Sequence, residues 1–170
     1  ENQLGSFEHR NLTESSVIQE LVGSLLVGTT TENQFVNQTG FAYADQQLFM
    51  YGGNSPVYVV VTDDQGRRTG QLDADTVVEE IPGSQWITLG GATYVLVPAN
   101  IDHTVTLVSY DEGSVTLSID RITDTTQQLV HTIPVPEISS TTIVTLDYTS
   151  KEFSVVRVDI DGDEVIDEEW

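Results

Sequence analysis

Cysteine is missing from all 170 residues. That excludes a disulfide framework, a thiolate zinc site and a cysteine nucleophile. Positive charge is scarce. Six Lys and Arg stand against 27 Asp and Glu, a formal net charge of −21, and Lys151 is the sole lysine. Such a surface repels nucleic acid and anionic membranes, because phosphate binding needs clustered Lys and Arg. It suits multivalent cations, a solubility device or a saline habitat. No run approaches the roughly 18 consecutive apolar residues of a membrane helix, so no membrane span is expected. No leader opens the chain at Glu1, which reads as a leader or an upstream domain already removed.

What is present is a globular composition, 38% hydrophobic, in a chain long enough for one domain with a core. It divides into three parts. Residues 1–28 read as a loop and an amphipathic helix. Residues 29–40, "TTTENQFVNQTG", read as a polar linker. Residues 41–170 read as a β domain with an acidic C-terminal loop.

The helix rests on Val17, Ile18, Leu21, Val22, Leu25 and Leu26, which make one apolar stripe at helical spacing. Thr13 can cap its N-terminus, with Glu14 in the first turn and a staple between Leu12 and Val17. Gly28 is the stop. The stripe must bury itself, either on the β domain or on a partner upstream.

From Phe41 the period changes to two. "SVTLSID" (114–120) puts Val115, Leu117 and Ile119 on one face, and "HTVTLVSY" (103–110) does the same with Val105 and Leu107. "DEG" (111–113) predicts a short hairpin loop between them. Similar runs at 41–51, 56–63, 84–89, 92–98, 127–135, 141–149 and 153–160 are separated by turn signals. About nine short alternating strands predict an all-β domain, an antiparallel two-sheet sandwich with one N-terminal helix.

The last thirteen residues, "VDIDGDEVIDEEW" (158–170), pose a choice between a calcium loop and a solvated acidic tail. Calcium takes six to eight oxygen ligands from a compact loop. Counted from Asp159 as position 1, Asp161, Asp163 and Asp167 fall at positions 3, 5 and 9, and the Val165 carbonyl at 7. That is the ligand order of an EF-hand or dockerin-type loop. The glycine expected at position 6 is Glu164, the closing acid expected at 12 is Trp170, and a strand rather than a helix precedes the loop. The choice between calcium loop and acidic tail stays open; if calcium binds, its role is structural, and the incomplete cage makes the binding weak.

Two resemblances extend this reading. In "FEHRNLTESSVIQELVGSLL" a histidine stands in a loop just ahead of an amphipathic helix, which resembles the C-terminal end of an α/β-hydrolase, lipases and esterases included. The resemblance implies that His9 is the general base of a catalytic triad. The serine and acid would then lie upstream, since no Gly-x-Ser-x-Gly occurs here. No complete active site is therefore expected in this chain. The stretch from Ser55 to Trp86, with "DDQGRRTG" (63–70) and "EIPG" (80–83), resembles the accessory β-sandwich modules of secreted and cell-surface prokaryotic proteins. It implies an immunoglobulin-like fold and a secreted or cell-surface setting.

Other residues carry blander expectations. Arg67 and Arg68 can pair with Asp63, Asp64 or Asp73 across a hairpin. His103 and His131 sit in strands without ligand spacing. Trp86, Tyr94, Tyr110 and Tyr148 would bind sugar rings only if they shared a face, and core packing is the simpler account. The function expected is a non-catalytic accessory module whose partner is an upstream catalytic domain or a cell-surface component. The rivals are an adhesion or spacer module without an enzyme, and a carbohydrate-binding module with a polysaccharide partner.

Overall fold

The computed structural model describes residues 47–54, 56–89, 92–123 and 126–170. The predicted helix, the linker and His9 lie outside the described residues. In chain order the first strands are β1 (Leu48–Asn54), β2 (Val57–Asp63), β3 (Arg68–Gln71), β4 (Val77–Glu79), β5 (Gln85–Leu89), β6 (Ala92–Pro98) and β7 (His103–Ser109). They are followed by β8 (Gly113–Ile122), β9 (Gln127–Ile138), β10 (Ile143–Thr149), β11 (Glu152–Phe153), β12 (Arg157–Asp159) and β13 (Glu168–Glu169). No helix occurs among the described residues.

The strands form two antiparallel sheets. One has five strands in the order β5-β6-β1-β8-β9, the other eight, running β13-β12-β10-β7-β2-β3-β4 with β11 paired to β10. The sheets pack as a sandwich around one core. Phe49, Tyr51, Val95, Val97, Leu117 and Ile119 come from the first sheet. Val57, Val59, Val61, Val105, Leu107, Val144 and Leu146 come from the second. Each fully buried aliphatic side chain contributes about 1.5–3 kcal/mol.

The predicted hairpin at 111–113 does not exist. β7 already has β2 on one side and β10 on the other, so it has no free edge for β8. The chain instead steps from one sheet to the other. Ser109 donates its N–H to the Thr142 carbonyl at 3.0 Å and Tyr110 to that of Pro56 at 3.1 Å. Glu112 donates its N–H to Asp111 Oδ1 at 2.8 Å. The run predicted at 153–160 is also two strands, β11 and β12, and β3, β4 and β13 were not expected.

"DDQGRRTG" does form a hairpin between β2 and β3. Asp63 accepts the N–H groups of Gln65 and Arg67 at 3.0 and 2.9 Å and pairs with the Arg67 guanidinium at 2.7 Å. Burial pushes its carboxyl up, but these hydrogen bonds outweigh that and hold it below the ordinary carboxylate value. Gly70 sits at φ +139°, where an added Cβ would come 2.1 Å from the Val59 carbonyl oxygen, so only glycine fits between β2 and β3.

The two sheets differ on their outer faces. The eight-stranded sheet alternates: β7 and β10 turn Val105, Leu107, Val144 and Leu146 inward, and half-exposed Thr104, Thr106, Thr145 and Asp147, with Val108 and Ile143, outward. The five-stranded sheet is apolar on both sides. Leu48, Met50, Tyr94, Leu96 and Ile122 form a second cluster on its outer face, each no more than 5% exposed. Every described strand belongs to one of the two sheets, so no described strand lies over this cluster. β9 is an edge strand, and Pro134 and Pro136 occupy its C-terminal half.

Candidate metal site

The acidic run is no dangling tail. β13 pairs back antiparallel on β12. Val156 and Trp170 exchange both backbone hydrogen bonds, at 2.9 and 3.0 Å, and Asp167 N–H donates to the Val158 carbonyl at 2.8 Å. Residues 160–167 are thereby closed into a loop at one end of the eight-stranded sheet. The neighbouring β9–β10 turn holds it from outside, since Ser139 Oγ and Thr142 Oγ1 both donate to the Ile160 carbonyl, at 2.9 and 2.8 Å.

Asp159 organises the loop interior. It is 4% exposed. Its Oδ1 accepts the Gly162 N–H at 2.7 Å and its Oδ2 the Glu164 N–H at 2.9 Å. Asp167 Oδ2 accepts the Ile160 N–H at 2.8 Å from the far side. The chain can turn this tightly because Gly162 and Glu164 both adopt positive φ, +77° and +70°. A side chain at Gly162 would meet the Thr141 carbonyl oxygen at 2.9 Å, so glycine is required there twice over. Glu164 occupies the position where an EF-hand loop has its glycine. It takes the left-handed turn regardless, with the Asp159 carboxylate holding its N–H.

Asp159, Asp161 and Asp167 present oxygen atoms all within 4.8 Å of one another. Two oxygens on one calcium ion, each at up to 2.6 Å, lie at most about 5.2 Å apart. The three carboxylates can therefore hold a metal ion. Asp163 is not gathered with them: its Oδ1 accepts the Val165 N–H at 2.9 Å, and the Val165 side chain is exposed. Glu168 and Glu169, the acids next to Trp170, lie exposed on β13.

No family model, curated protein or solved structure matches this chain. What the loop can do is read from its own geometry.

The other sequence candidates are dispersed. Trp86 packs against the main core, as does Tyr148, whereas Tyr94 belongs to the outer cluster of the five-stranded sheet. Tyr110 is exposed and stacks on Tyr58, with ring centroids 4.6 Å apart. The four predicted aromatics do not share a face. His131 lies on β9 with its ring edge-on to Phe153 at 5.6 Å.

His103 is a buried structural histidine that ties the two sheets together. Its Nδ1 donates to the Ile101 carbonyl at 2.8 Å. That leaves Nε2 as the acceptor for the Tyr51 hydroxyl at 2.5 Å, reaching from β1. Burial holds the imidazole below its ordinary value of 6.5, against the backbone bond and the nearby Asp102 and Asp63 charges. Burial also raises the Tyr51 phenol well above 10, with the neighbouring Tyr148 adding to it. Both groups are neutral at neutral pH. The pairing of residues 52 apart in sequence has no local signature.

Proposed function

We propose that this chain is a non-catalytic accessory module of a secreted or cell-surface protein, an immunoglobulin-like β-sandwich whose closing loop takes a structural calcium ion. The observation that supports the metal is the convergence of Asp159, Asp161 and Asp167 within 4.8 Å. Three carboxylates this close repel one another, and a divalent cation offsets that repulsion while pinning β13 to β12. Calcium suits the all-oxygen donor set better than zinc, since neither histidine nor cysteine stands in the loop. The likeness of 55–86 to surface modules supports the setting. The likeness around His9 supports attachment to an α/β-hydrolase-like domain, for which the coding sequence ahead of Glu1 should hold a Gly-x-Ser-x-Gly.

The metal is tested by following the melting temperature of the full chain against calcium. Calcium at about a hundred times its Kd should add about 2.7 kcal/mol of stability. Asp161→Ala should abolish the shift. Asp163→Ala should keep it, because that side chain caps Val165 rather than facing the cluster. No shift at millimolar calcium, or an equal shift in Asp161→Ala, ends the proposal.

A further inference from the structure

At the margin of the sandwich where β9 faces the β10–β11 hairpin, the two sheets part and leave an open cleft of about 500 Å³. That is within the roughly 300–1,000 Å³ range of small-ligand sites. Its floor is core: Ile119, Leu146 and Tyr148, each no more than 4% exposed. Phe153 forms one wall, its ring against those of Tyr148 and Phe49 at 4.8 and 5.4 Å.

Into this apolar setting the fold places two of the six cations of the chain, Arg121 and Lys151. Arg121 is the unusual one. It pairs with Phe49 across β1 and β8, which turns it to the inner face. Its guanidinium lies over the Phe49 ring, 5.3 Å from the centroid. Its Nε is buried without a hydrogen-bond partner. In a chain with 27 carboxylates, no ion pair to Arg121 forms among the described residues. A half-buried guanidinium without an anion is costly, and the cost is recovered when an anion arrives. Glu152 lines the same cleft. Two cations less one carboxylate leave a net single positive charge, which matches a monoanion better than a dianionic phosphate.

We propose that this cleft binds a small amphipathic monocarboxylate, its acid group on Arg121 with support from Lys151 and its apolar body over Ile119, Tyr148 and Phe153. A guanidinium offers a carboxylate two parallel N–H donors. The floor offers aliphatic and aromatic surface already desolvated on its far side. This goes beyond the accessory role and does not depend on the calcium loop, which lies in other residues.

The test is calorimetric titration of the full chain with octanoate, octanamide and acetate. Octanoate should bind at least about tenfold more tightly than octanamide, as expected when a hydrogen-bonded charge is lost. Acetate, which lacks the body, should bind weakly or not at all. Arg121→Gln should remove the preference for octanoate over octanamide. Lys151→Gln, at an exposed turn, should weaken octanoate a few-fold and serves if Arg121→Gln does not fold. Amide shifts on octanoate addition should fall on His131, Glu152 and Phe153. Equal affinity for octanoate and octanamide overturns the proposal. So does absence of binding at millimolar octanoate, unchanged octanoate affinity in a folded Arg121→Gln, or shifts confined to other surfaces.

Discussion

The two sheets are built from similar residues but meet their surroundings differently. β7 of the eight-stranded sheet alternates strictly, one face buried and the other half-exposed with Thr104, Thr106 and Val108. β6 of the five-stranded sheet is buried at all seven positions. The first is half a sandwich in the ordinary sense, with an outer face that water can satisfy. There Thr104 Oγ1 donates to Asp147 at 2.6 Å, and Arg157 pairs with the same carboxylate. The second carries apolar side chains on both faces, and the buried carboxylate of Asp120 on its outer side is pushed up by burial despite a hydrogen bond from Gln127. Polar substitution should therefore be tolerated outside one sheet and not outside the other.

That contrast can be broken most directly by placing a charge on each outer face. Leu96→Asp should cost upwards of about 3 kcal/mol and abolish cooperative unfolding or soluble expression, because it buries an unpaired carboxylate. Thr106→Asp, at the half-exposed outer face of β7, should stay within about 1 kcal/mol by urea denaturation. Similar losses in both would mean that the sheets are not different in kind.

A smaller effect concerns the bond that joins the sheets. His103 is held neutral below its ordinary value, so the unfolded chain binds more protons than the folded one as pH falls below about 6.5. The stability due to this group is complete above that pH and is lost as acid drives the folded imidazole to protonate. The melting temperature should fall between pH 7 and pH 5, and His103→Gln should flatten that slope while lowering stability at pH 7. An unchanged slope in the variant would place the acid sensitivity elsewhere. The smallest effect is on the polar face, where Thr104→Val should cost no more than about 1 kcal/mol, the net worth of one half-exposed hydrogen bond.

Legibility in the sequence followed the same divide. Strands such as "HTVTLVS" and "IVTLDYT" announce themselves, because one wet face imposes period two. The run "ATYVLVP" also reads as a strand, but continuous apolarity does not say that both faces are covered. Nor does alternation name a partner. β7 and β8 follow one another with a three-residue link, and only the prior occupancy of both edges of β7 sends β8 to the other sheet. β3 is too short and polar to register, and β4 too short. In the acidic loop the spacing of Asp159, Asp161 and Asp167 was readable because it sets the turn. The turning aside of Asp163 was not, since an aspartate two residues before an amide can serve either an ion or that amide. The return of Glu168–Trp170 onto Val156 and Val158 is backbone pairing and leaves no trace in side-chain pattern. The inward turn of Arg121 leaves no sequence signal, because an inward arginine breaks the alternation that otherwise identifies the core.

Pro134 and Pro136 in β9 have a consequence for crowded solutions. A proline can sit in a sheet only where its missing N–H would have pointed away from the neighbouring strand. Half of that margin thus lacks two of the N–H groups that a sibling molecule's strand would need for pairing. The net charge of −21 acts in the same direction, since like-charged copies repel one another.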